Sequence, residues 1–105
     1  MTGSMAALLG RTQHDVRTLS LPTSDRPFLL VGRSRRCDVV MDDPTISREH
    51  AALVLFGRHW FVCDRASTNG TRVNGRRIWG TVSVQPGDLV GFGEATFRLE
   101  GPDVR

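Results

Sequence analysis

Ala51-Ala52-Leu53-Val54-Leu55-Phe56-Gly57-Arg58-His59-Trp60-Phe61-Val62-Cys63-Asp64 is the stretch whose reading decides the fold. Two strand-length apolar runs flank Gly57-Arg58-His59, which reads as a hairpin turn. Working outward, the same kind of short run recurs. Val16 to Leu21 alternates apolar and polar with period two, as a half-buried strand does. Phe28 to Val31 and Asp38 to Met41 are short apolar runs rich in strand formers. Thr71-Arg72-Val73 and Arg77-Ile78 flank Asn74-Gly75-Arg76, and Asn-Gly is the strongest short hairpin signal because both residues tolerate positive φ. Val82 to Val84 leads into the turn Gln85-Pro86-Gly87-Asp88. Leu89-Val90 and Ala95 to Leu99 complete the set. No segment shows a sustained helical period with caps. The pattern predicts an all-β fold, a two-sheet antiparallel β-sandwich of about eleven short strands, with binding loops gathered at one end of the sheets.

A chain of 105 residues fits one domain and can bury a core without staples. Residues 1–4 read as a cloning remnant or a frayed end, 5–100 as the β-sandwich domain and 101–105 as a C-terminal tail. Cys37 and Cys63 are too few for a disulfide framework, and no signal peptide is evident, so a cytoplasmic, reducing setting is expected. The longest apolar stretch, Ala51 to Phe56, is far too short to span a membrane, and no membrane partner is expected.

The net charge is +3, and all 14 basic residues are arginine. Arginine grips phosphates and carboxylates in a bidentate fork where lysine acts as a point charge, although codon usage alone accounts for a lack of lysine. Arg35-Arg36 and Arg76-Arg77 are only short pairs, interspersed with Asp42, Asp43, Glu49 and Asp88. Such mixed charge weighs against a non-specific nucleic-acid binder.

Several polar residues lie on no apolar periodic face: Gly32-Arg33, Ser47-Arg48-Glu49-His50, Ser67-Thr68-Asn69-Gly70-Thr71 and Val73-Asn74-Gly75. Together they supply guanidinium, hydroxyl and amide donors, the inventory for holding a phosphate and the peptide that carries it. Arg33 follows an apolar strand, where it is either a solvated surface residue or a fork for a phosphate. Ser47 either bonds its own backbone or offers its hydroxyl to a phosphate oxygen, with Arg48 as a second cation. Thr68 supplies another hydroxyl. Asn69 either closes an Asx-turn or clamps the main chain of an extended peptide. No Gly-x-Ser-x-Gly elbow surrounds Ser47, and no second histidine is placed as a base, so a nucleophile pair with His50 is rejected. Cys37, His50, His59 and Cys63 lack metal-site spacing, and neither metal nor cofactor is expected. Trp60, Phe61, Phe56 and Trp79 read as core or sheet-edge aromatics, Cys37 as buried, and Cys63 as partly exposed.

From about Phe28 to Leu99 the order and spacing of these motifs resemble the forkhead-associated (FHA) domains, which bind phosphothreonine peptides. The resemblance implies that Arg33, Ser47, Arg48 and Thr68 bind the phosphate and that Asn69 holds the peptide backbone. It implies a structural role for His50, whose ring ties the binding loops together, and supporting roles for Gly32, Gly70, Asn74 and Gly75. Arg65 and Ala66 stand where the family more often has an apolar residue and a glycine. Flanking-residue preference is expected to depend on Thr45, Arg48, Arg72 and the loop from Gly91 to Glu94. The function so implied is a non-catalytic module that recognises threonine-phosphorylated proteins written by a Ser/Thr kinase. It would be a monomeric domain of a larger protein or a stand-alone adaptor. The competing readings are a nucleic-acid-binding β-domain and an FHA-like scaffold whose partner needs no phosphate.

Overall fold

A computed structural model describes residues 16–22 and 27–101. The segment read as a remnant or frayed end, and all of the C-terminal tail beyond Gly101, lie outside the described residues. Among the described residues there are ten strands: β1 (Val16–Ser20), β2 (Phe28–Gly32), β3 (Val39–Val40), β4 (Ala51–Phe56), β5 (His59–Asp64), β6 (Thr71–Val73), β7 (Arg76–Arg77), β8 (Thr81–Val84), β9 (Leu89–Phe92) and β10 (Ala95–Glu100). They form two five-stranded sheets, ordered β1-β10-β9-β6-β7 and β3-β2-β4-β5-β8. This is the expected sandwich with one difference. Most neighbours are antiparallel, but β1 pairs with β10, and β2 with β3, in parallel. The β1–β10 pairing joins the two ends of the described chain, a contact to which local pattern is blind.

Alternation places the core between the sheets. From one sheet come Leu29, Val31, Leu53, Trp60 and Val62; from the other come Val90, Phe92, Phe97 and Leu99, all buried. Burial of a side chain of this size contributes roughly 1.5–3 kcal/mol. Register carries the alternation across strands: Leu29 faces Leu53, and Leu53 faces Val62. The β4–β5 turn is tighter than the sequence suggests. Phe56 pairs directly with His59, leaving Gly57-Arg58 as a two-residue loop. Of the four aromatics read as core or sheet-edge residues, Trp60 is core and Phe61 half-buried, while Phe56, at the hairpin end, and Trp79, between β7 and β8, are each 77% exposed. Cys37 is buried and Cys63 half-buried.

Candidate functional site

The site lies where three separated segments meet: Arg33 after β2, the loop 41–50 between β3 and β4, and the loop 65–70 between β5 and β6. Backbone bonds stitch the first two together. Arg33 N–H donates to the Ser47 carbonyl at 3.0 Å, and Ser34 N–H to the Arg48 carbonyl at 3.1 Å. The approach is so close that a Cβ at Gly32 would overlap the Arg48 carbonyl, which explains a residue without a side chain there. Beneath it, the Cys37 thiol donates to the same carbonyl at 3.1 Å. Burial pushes the Cys37 pKa up, which keeps the thiol in its donor form.

His50 joins this pair to the third segment. It is fully buried immediately before β4. Ser47 N–H donates to Nδ1 at 3.0 Å. The proton therefore sits on Nε2, which donates to the Gly70 carbonyl at 2.8 Å. Burial pulls its pKa below the ordinary value, more than its bond to Gly70 and the nearby Asp64 raise it, so the neutral ring is favoured. Its edge meets Phe92, with ring centroids 5.7 Å apart. Both ring nitrogens serve the backbone, and neither is paired with the Ser47 hydroxyl.

Ser47 Oγ reaches across the chain instead. It accepts from Thr68 N–H at 3.0 Å, so its hydroxyl proton can point outward. The local-turn alternative for Ser47 is therefore not what the fold uses. Nor is Asn69 an Asx-turn, since its Nδ2 donates to the Thr45 carbonyl at 2.8 Å, 24 residues away. Asn69 Oδ1 has no hydrogen-bond partner among the described residues and faces an exposed surface. The Arg33 Nε donates to the Ile46 carbonyl at 3.0 Å, which orients the guanidinium and leaves both Nη groups for an anion. The side chains of Arg48 and Thr68 are exposed, and Arg33, Ser47, Thr68 and Asn69 are brought to one end of the sandwich.

Asn74 and Gly75 lie apart from that end. Asn74 at φ 50 and Gly75 at φ 86 make the turn joining β6 to β7. Asn74 Oδ1 accepts from Leu89 N–H at 2.9 Å, pinning the hairpin to the start of β9.

One supporting element was not singled out from the sequence, and another was read there only for flanking-residue preference. Asp64, at the end of β5, accepts from the Ser67 hydroxyl and amide and from the Thr71 hydroxyl, and so shapes the 65–70 loop from below. Burial raises the Asp64 carboxyl, but these bonds more than offset it and hold the pKa below the ordinary carboxylate value. The second element is Thr45. Its hydroxyl donates to Asp43 and accepts from Glu94 N–H at 2.9 Å, tying the 41–50 loop to the β9–β10 turn. A signal for Asp64 existed in its place at a strand end three residues before a serine. Ala66 holds φ 54, a left-handed conformation where glycine is the unstrained choice.

The family model of the FHA domain matches residues 29–93. The chain belongs to the FHA family. It is 40% identical over 75 residues to the glycogen accumulation regulator GarA of Mycolicibacterium smegmatis, covering 71% of this chain and 46% of that protein. It is 34% identical over 76 residues to the FHA domain-containing protein FhaB of Mycobacterium tuberculosis, covering 72% of this chain and 48% of that one. The chain thus spans about half the length of these relatives. Among solved structures, Mycobacterium tuberculosis EmbR in complex with a low-affinity phosphopeptide superposes with a TM-score of 0.67 at 27% identity, over 75% of this chain and 21% of that one. A chain from a structural and functional analysis of phosphothreonine-dependent FHA domain interactions gives a TM-score of 0.62 at 26% identity, over 66% of this chain and 71% of that one.

Proposed function

We propose that this end of the sandwich binds a threonine-phosphorylated protein segment and performs no chemistry on it. Arg33 is the main phosphate contact, Ser47, Arg48 and Thr68 complete the pocket, and Asn69 holds the peptide main chain. Gly32, His50 and Gly70 support the binding loops, while Asn74 and Gly75 shape the β6–β7 hairpin. The observation that carries this reading is the convergence of Arg33, Ser47 and Thr68 through direct hydrogen bonds between segments far apart in sequence. The fold spends these bonds on orienting donors toward solvent, which suits a preorganised anion site. His50, buried and fully engaged with backbone, is not available as a base, in keeping with a binding role.

The ligand is proposed to be a protein marked by a Ser/Thr kinase in the cytoplasm, and residues 5–100 to be the binding unit, monomeric within a larger protein or alone. Among the described residues no helix is long and apolar enough to cross a membrane. Titration calorimetry with one peptide in phosphothreonine, phosphoserine and unmodified forms tests the reading. Binding should require the phosphate and favour phosphothreonine, whose γ-methyl can contribute about 0.8 kcal/mol on burial. Equal affinity for the unmodified peptide would point to a phosphate-independent scaffold.

A further inference from the structure

Beside the phosphate site lies an arginine pair that sheet stability does not explain. Arg72 of β6 and Arg77 of β7 are directly opposed in register. Like charges facing each other across strands are unfavourable. Neither has a carboxylate partner among the described residues. Arg72 has a structural task, since it lies across Gly91 and donates to the Gly93 carbonyl. Arg77 has no such bond. Its guanidinium carbon sits 4.3 Å from the centre of the Trp79 ring, and its Nε lies 2.7 Å from where a Cβ on Gly70 would be. The cation is thus sandwiched between an exposed tryptophan and the recognition loop, one residue from Asn69.

A stacked guanidinium keeps its in-plane N–H groups free to form a fork with a carboxylate. From this placement we infer that Arg77, oriented by Trp79, is a specificity residue that reads an acidic side chain of the ligand at a position flanking the phosphothreonine. The inference rests on the phosphopeptide reading above. It goes beyond it by assigning the ligand a second anionic feature, read by residues outside the phosphate pocket. A single bound carboxylate would also relieve the repulsion between Arg72 and Arg77.

The test is a set of phosphothreonine peptides in an alanine background, each with one aspartate moved through the flanking positions. They are titrated against the wild-type chain, Arg77→Met, Arg77→Ala and Trp79→Ala. Arg77→Met keeps an apolar stem over Gly70 while removing the charge, and melting curves confirm that each variant is folded. One or two aspartate positions should raise wild-type affinity by about threefold or more, the size expected of an exposed ion pair. Both Arg77 variants should abolish that gain and leave affinity for the all-alanine phosphopeptide within about twofold. Trp79→Ala should reduce the gain, and added salt should shrink it in the wild type. The absence of any favoured aspartate position, or an equal loss by Arg77→Met on every peptide, would overturn the assignment of Arg77. A gain unchanged in Trp79→Ala would overturn the orienting role of the ring. Failure of the underlying reading looks different, because the all-alanine peptide would then bind the wild type equally well with and without its phosphate.

Discussion

Two Asn-Gly pairs stand five residues apart and do different work. Asn74-Gly75 is a local device. Both residues hold positive φ, and the turn closes the short β6–β7 hairpin. Asn69-Gly70 is a long-range device. Asn69 reaches back to Thr45, and Gly70 gives its carbonyl to His50. The same dipeptide can shape a backbone or be held by one. What separates the two is the segment that each faces: residues 45–50 meet Asn69-Gly70, and the start of β9 meets Asn74-Gly75. The 65–70 loop depends on distant segments, and so should be the more easily disarmed without unfolding the sheets.

His50→Ala should have the largest effect. It leaves the Ser47 amide and the Gly70 carbonyl without their partner in a buried site and opens a cavity against Phe92. A loss of about 3 kcal/mol or more is expected in urea melts, with phosphopeptide binding lost in parallel. A fully stable variant with wild-type affinity would show that the long-range ties do not matter. Arg33→Ala comes next. It should lower phosphopeptide affinity about ten- to hundredfold in calorimetry, since a charge-assisted contact contributes roughly 1.5–3 kcal/mol. Stability should hardly move, because the side chain is exposed.

The two asparagines test the comparison directly. Asn69→Ala should weaken binding severalfold while leaving the melting temperature nearly in place. Asn74→Ala should do the reverse, at a cost of about 1–2 kcal/mol from alanine at positive φ and the lost Leu89 contact. If both variants lost affinity in step with stability, the division of labour would be wrong. Ala66→Gly should sharpen it. Relief of the left-handed strain at φ 54, less the entropy of glycine, should stabilise the fold by about 0.5–1 kcal/mol and leave affinity unchanged. A stabilised loop that bound more weakly would mean that the alanine side chain itself touches the ligand.

The mildest effect concerns pH. The His50 pKa is lowered by burial, so the fold prefers the neutral ring. The unfolded chain takes up that proton near pH 6.5, at about the ordinary histidine value. Stability from this residue is therefore intact above that pH and falls as pH drops toward the lower folded pKa. Asp64, also lowered, loses its contribution only in more acidic solution, below the ordinary carboxylate range. The ligand phosphate protonates near pH 6, at about the same point, so affinity should decline together with stability. Urea melts at pH 7.5 and 5.5 check the first effect, and a melt insensitive to pH in this range would place His50 outside the network described.

Short runs and turns are local properties, and the chain states them openly. The hairpin 51–64, the Asn74-Gly75 turn and the Gln85-Pro86-Gly87-Asp88 turn each follow from residues that favour their own φ and ψ. The residues of the candidate site were also legible, because polar side chains off an apolar face need a reason to be there. Exposure was less so. Phe56 and Trp79 look alike to Trp60 by composition, yet only Trp60 points between the sheets, since burial depends on which face a residue takes in a finished register.

What the chain settled by itself was its class, the alternation of its strands and the list of donors that could meet a phosphate. What only tertiary structure decided was who holds whom. The pairing of β1 with β10, the reach of Asn69 to Thr45 and the seat of Arg77 over Gly70 all join residues that backbone preference leaves independent. The physical reason is that strand propensity and turn chemistry act over a few residues, whereas a binding site is made by loop closure between distant ones. Its geometry is set only when the core between the sheets has fixed where those loops begin and end.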